Sequence, residues 1–158
     1  MKTIVALVDF SDVAFKVLLQ AQTLATAFQS EVVILHVVEP QPMLVGMGVT
    51  PTIMREPSTE EFTMDQEKLL ELRDAMTKVG IKASADQIQG PTVDKILTEA
   101  ERLGADLIII GSHGHGALYN LFVGSVTEAV LKRSKCPVLV VPSTVVKQKE
   151  KVLAEATA

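Results

Sequence analysis

Five short apolar runs alternate with four stretches of helix-spaced apolar residues along this chain. Thr3 to Val8 is a wholly β-type run and predicts a first strand buried on both faces. Asp9-Phe10-Ser11-Asp12 follows, and either Ser11 or Asp12 can cap a helix. Ala14, Val17, Leu18, Ala21, Leu24, Ala25 and Phe28 then recur at helical spacing. Val32 to Val38 reads as the second strand, closed by Glu39-Pro40. After Ser58, whose capping partner is Glu61, the residues Phe62, Leu69, Leu72, Met76 and Val79 mark a second helix that Gly80 ends. Ile81 to Gln89 is a more polar strand, expected near a sheet edge. Gly90-Pro91 opens a third helix on Val93, Ile96, Leu97, Ala100 and Leu103, and Gly104 closes it. Leu107 to Ile110 is the fourth strand and Val138 to Val141 the fifth, stopped by Pro142. Between them a helix runs through Val126, Ala129, Val130 and Arg133, with Ser125 and Glu128 expected as its capping box. Strands alternating with helices predict an α/β fold: one parallel sheet of five strands with helices on both faces.

Two stretches break the alternation. From Gln41 to Pro57, three prolines and two glycines exclude a long regular element. Met43, Leu44, Val45, Met47, Val49, Ile53 and Met54 are nonetheless apolar. The segment is expected to be a long loop, either a lid or partner surface or a loop packed on its own domain. Residues 143–158 carry alternating lysines and one late apolar pair, Val152-Leu153, and are expected to be a mobile tail or a short exposed helix after a domain spanning 1–142.

The chemistry concentrates at Gly111-Ser112-His113-Gly114-His115-Gly116, with Gly124-Ser125 beyond. The order is strand, glycine-rich turn, helix. Such a turn lets main-chain N–H groups approach a ligand, and the helix start adds donors and partial positive charge. Together they form an anion site, most simply for phosphate. Gly111, Gly114, Gly124 and Ser125 also stand at Gly, two residues, Gly, nine residues, Gly, Ser. This spacing resembles the nucleotide-binding motif of the universal stress protein family, and the resemblance extends from about Lys2 to Pro142.

The resemblance implies a small, dimeric, ATP-binding α/β protein with strand order 3-2-1-4-5 and a homodimer formed through the last strand. It implies nucleotide contacts at Ile110, Gly111, Gly114, Gly124, Ser125 and Val126, and an adenine contact at Val38. With that order the tips of the first and fourth strands meet at the switch point, bringing Asp9 and Phe10 to the glycine loop. Asp9 then faces the phosphates through Mg²⁺ or Mn²⁺, or a ribose hydroxyl, or else caps the first helix. The family often has glycine where Phe10 stands, so the shape of that turn is open.

His113 and His115 have no further histidine or acid close by in the sequence to complete a zinc site, and are expected to brush the phosphates with Ser112 and Gly116. His36 reads as a satisfied core or edge histidine. Lys132, Arg133 and Lys135 suit a solvated helix end.

Composition narrows the field. At 47% apolar and 22% charged residues the chain is a globular domain. A net charge of −4 and the absence of Trp argue against nucleic acid as a partner. No apolar run is long enough for a membrane span, and Met1-Lys2-Thr3 leads directly into a strand. The single Cys136 excludes an internal disulfide and fits the cytoplasm. Neither a P-loop nor a dinucleotide fingerprint is present. No arginine lies near the glycine loop to support phosphoryl transfer. The expected role is therefore a nucleotide-occupied sensor or regulator in a stress response, not an enzyme. A slow adenine-nucleotide hydrolase and a nucleotide-independent dimerisation module are the alternatives.

Overall fold

The computed structural model describes residues 1–43, 53–55, 58–112 and 123–143. Five parallel strands form the main sheet: β1 (Thr3–Leu7), β2 (Glu31–Val38), β5 (Ala83–Gln89), β6 (Leu107–Gly111) and β7 (Val138–Val141). Their spatial order is β5-β2-β1-β6-β7, which is 3-2-1-4-5 for these strands. The apolar runs of β1 and β6 are buried on both faces, as continuous rather than alternating hydrophobicity requires. The more polar β5 takes an edge.

Helices α1 (Asp12–Phe28) and α2 (Thr59–Lys78) cover one face. Val17 and Ala21 of α1 and Leu69 and Met76 of α2 pack there against Ile4, Ile34 and Ile109. Helices α3 (Thr92–Arg102) and α4 (Ser125–Arg133) cover the other, through Ile96, Ala100 and Val130 against Val5, Val33 and Ile108. The β2 side chains therefore divide between two cores, Val32 and Ile34 to one and Val33, Leu35 and Val37 to the other. Ile34 lies under α1 and α2, while Leu35 lies under α3.

Helix ends follow local chemistry. Ser58 and Glu61 form the expected reciprocal cap on α2. Gly80, at φ +84°, directs the N–H of Ile81 to the carbonyl of Met76 and its own to Thr77, the bond pair of a Schellman turn. The α4 cap differs from expectation. The helix starts at Ser125 itself, so Gly124 occupies the cap position and contributes no side chain. Glu128 then pairs with Lys132 at 2.6 Å instead of reaching back. The stretch expected as irregular from Gln41 to Pro57 also differs. Its outer parts, β3 (Gln41–Met43) and β4 (Ile53–Arg55), pair antiparallel. Pro42 is tolerated because both strands of a two-stranded ribbon are edges. Residues 44–52 and 56–57, and the tail beyond Ser143, lie outside the described residues.

Candidate functional site

A cavity of about 490 Å³ opens at the carboxyl ends of β1, β2 and β6. That volume lies within the range of small-molecule sites. β1 pairs with β2 on one side and with β6 on the other, so this is where the strand order reverses. Leu35, Val37, Ile96, Ile110 and Val126 give it an apolar wall. Asp9, Glu39, Thr92, Ser125 and Thr127 supply its polar groups, beside Gly111 and Gly124.

The fourth-strand side is built from main chain. Ser112 donates its N–H to Val141 (2.8 Å), and its carbonyl accepts the N–H of Gly124 (2.7 Å). The chain therefore leaves after Ser112 and returns at Gly124 within one hydrogen bond. Thr127, 3% exposed, donates its hydroxyl to the Gly111 carbonyl (2.8 Å) and fixes the first turn of α4 against the strand end. Glu128 donates the first helical bond, to Gly124. The N–H groups of Ser125, Val126 and Thr127 have no acceptor among the described residues. Three unpaired donors at the positive end of a helix thus border the cavity.

The first-strand side is built from side chains. Asp9 Oδ1 accepts both the N–H (3.0 Å) and the hydroxyl (2.6 Å) of Ser11. Asp9 thus organises the turn without capping α1, whose cap Ser11 makes no side-chain capping bond. Phe10 sits at φ +59°, where the absence of a Cβ usually favours glycine. Its ring is held by His36, with centroids 4.5 Å apart, and lies 5.2 Å from Lys68 Nζ. His36 in turn bonds the Val8 carbonyl through Nδ1 (2.8 Å), and its Nε2 lies 3.8 Å from Asp65. A buried histidine in an apolar strand is thereby satisfied.

The structure brings together Asp9, Ile110, Gly111, Gly124, Ser125 and Val126. Phe10, Val38 and Ser112 are not among the cavity's lining residues, and Val37 is. His113, Gly114, His115 and Gly116 lie outside the described residues. Sequence reasoning missed Val37, Glu39, Thr92 and Thr127. Position at a strand end was the available signal for the first two. The Asp9 Oδ2 atom takes no hydrogen bond among the described residues, but no group of three metal-ligating side chains occurs among them. Asp9 Oδ2 is thus a carboxylate oxygen that fits a divalent ion carried on a phosphate.

Fold and cavity together define an open α/β protein with a cavity at its switch point, bordered by the N–H groups at the start of α4. The chain belongs to the universal stress protein family, whose model matches residues 1–142. A universal stress protein of Methanocaldococcus jannaschii is 34% identical over 142 residues, covering 89% of this chain and 81% of that protein. The solved structure of a second protein of that organism, MJ0577, is 30% identical, with a TM-score of 0.66 over 90% of this chain and 96% of that one. Two more distant solved members share the fold and were solved with adenine nucleotides. One, in complex with cAMP, is 22% identical (TM-score 0.67, covering 90% of this chain and 98% of that one). The other, from Archaeoglobus fulgidus with dAMP, is 24% identical (TM-score 0.61, covering 89% and 96%).

Proposed function

We propose that this chain binds ATP together with Mg²⁺ or Mn²⁺ and acts as a nucleotide-occupied regulator in the stress response, rather than as an enzyme. The observation that carries the reading is the set of unpaired N–H groups at Ser125, Val126 and Thr127, sharing one cavity with Asp9. Amides at a helix start suit phosphate, and the wall of Leu35, Val37 and Ile96 suits a flat base. The cAMP and dAMP bound by relatives support adenine as that base. Hydrogen bonds to charged groups contribute about 1.5–3 kcal/mol each, so three of them with base burial reach the ~8 kcal/mol of a micromolar complex. Asp9 and Glu39 bring negative charge and no Lys, Arg or His is among the described lining residues, so the divalent ion offsets the triphosphate charge. Occupancy then biases the segment that follows Ser112 and the pairing of a homodimer through β7, an edge strand of the five-stranded sheet. The reading places the protein in the cytoplasm.

The test is titration calorimetry with ATP, ADP and AMP, with and without Mg²⁺, alongside a turnover assay. Micromolar binding strengthened by the metal, with slow or no turnover, is the expected result. If none of the three nucleotides binds in Mg²⁺, the reading is lost.

A further inference from the structure

The outer face of α1 is unlike that of α2. Among the described residues Phe15 is 72% exposed, and Leu19, one turn further on, is 48% exposed. Thr23 and Thr26 continue the same line. Both turn their hydroxyls back onto the helix, to the carbonyls of Leu19 and Gln22 at 2.8 Å, so neither needs water. Asp12 and Lys16 are the only charged residues in α1. A solvated helix face normally carries charge, as α2 does through Glu60, Glu67, Glu71 and Asp74.

The chain comes back to this face when it leaves the sheet. β7 stops at Val141, at the end of the sheet where α1 begins. Lys16, next to Phe15, donates from Nζ to the Ser143 carbonyl at 3.0 Å. The N–H of Ser143 bonds Ser112 Oγ at 3.0 Å, so the exit is held from two sides. Residues 144–158 therefore start beside Phe15.

Their sequence matches the surface they meet. Val145, Val146, Val152, Leu153 and Ala156 fall at i, i+1, i+7, i+8 and i+11, which is one stripe of a helix. Lys147, Gln148, Glu150, Lys151 and Glu155 fall on the other side. Neither Pro nor Gly occurs in 144–158, and Lys, Gln, Glu, Leu and Ala are strong helix formers. As a helix, 147–156 rises about 15 Å, the same as the rise along α1 from Lys16 to Thr26. The tether favours this occupant over a free partner, because it holds the stripe beside α1 at about millimolar effective concentration.

We propose that residues 144–158 fold back along α1 as an amphipathic helix. Val145 and Val146 cover Phe15, and Val152 and Leu153 cover Leu19 and Thr23. No nucleotide is needed for the contact.

The chain has no Trp, so Phe15→Trp in the full chain gives a single indole. Its emission and its quenching by acrylamide report on the α1 face, and hydrogen exchange reports on 147–156. The indole should be blue-shifted and shielded, independently of protein concentration. Val146→Lys with Leu153→Lys should shift its emission to the red and speed exchange of 147–156 by about tenfold or more. Lys147→Ala with Lys151→Ala, on the outer side of the stripe, should change neither reading. Circular dichroism checks that the domain is intact in each variant. An indole equally accessible with and without the two added lysines would overturn the proposal by leaving the face bare. Shielding that survives those lysines would overturn it by giving the face another cover. Shielding that grows with protein concentration would overturn it in favour of a second copy of the chain.

Discussion

The two turns that border the cavity solve the same problem with opposite materials. After β6, the chain is held by main-chain bonds, Ser112 to Val141 and Gly124 to Ser112, and presents main-chain donors. After β1, it is held by side chains: Asp9 on Ser11, and Phe10 against His36. The first turn leaves room and N–H groups, which suit an anion. The second leaves a carboxylate with one open oxygen, which suits a cation. The pairing of amide cradle and carboxylate is what a metal-bound phosphate demands, and neither turn supplies it alone.

The sharpest way to break this comparison is at the cradle. Gly124 has φ −60° and ψ 152°, a conformation that any L-residue adopts. Gly124→Val should therefore fold normally and melt close to wild type. Its branched side chain stands at the cavity wall next to the unpaired amides, and ATP affinity should fall about a hundredfold or more. Normal calorimetric binding by a well-folded variant would remove the cradle from the site.

The opposite turn should respond through charge. Asp9→Asn keeps an oxygen to accept from Ser11 but loses the negative charge. ATP affinity in Mg²⁺ should drop about tenfold, the scale of one charge-assisted contact, and affinity in EDTA should stay unchanged. Equal losses in both conditions would show that Asp9 shapes the turn and nothing more.

Much of the architecture was legible because periodicity is local. The continuous runs of β1 and β6, the polar edge strand β5, the Ser58–Glu61 box and the turn at Gly80 all follow from neighbouring residues. Strand order did not follow from pattern and came from the family resemblance. The adenine contact expected at Val38 shows how one position matters. Val37 is among the lining residues and its neighbour Val38 is not, although side chains from both faces of the sheet reach the cavity. Ser125 looked like a cap because serine usually is one, but the helix begins one residue earlier relative to it and leaves Gly124 as the cap. Glu39 and Thr127 were not legible, since their partners Thr92 and Gly111 are 53 and 16 residues distant.

Phe10 sharpens the comparison by separating backbone from side chain. A left-handed non-glycine residue costs about 1–2 kcal/mol, offset here by the ring's packing against His36 and the core. Phe10→Ala keeps the backbone cost and loses the packing, so it should destabilise by about 2 kcal/mol for a partly buried ring. Phe10→Gly loses the same packing but removes the cost. It should be more stable than Phe10→Ala by about 1 kcal/mol in urea melts. Equal stability of the two would mean that the turn relaxes to an ordinary conformation once the ring is gone.

The smallest effect is expected at the amino ends of the same two strands, opposite the cavity. Asp106 precedes β6, and its Oδ2 accepts the N–H of Lys2 at 2.5 Å and of Thr3 at 3.0 Å at the start of β1. The bond from Lys2, then that from Thr3, lowers the carboxyl pKa from its ordinary 3.8. The folded value is the depressed one, so the ionised carboxylate stabilises the fold above pH 3.8. That contribution is lost as the pH falls through the lower folded value. The group is exposed, so water screens the effect and the change in melting temperature should be small. Asp106→Asn should melt slightly below wild type at neutral pH, and the two curves should converge as acid protonates the wild-type carboxylate. ATP affinity should not change, because the tie lies at the far end of β1 and β6 from the turns that border the cavity. A nucleotide effect as large as that of Asp9→Asn would mean that the cradle and the carboxylate are set by strand alignment along their whole length, not by the two turns.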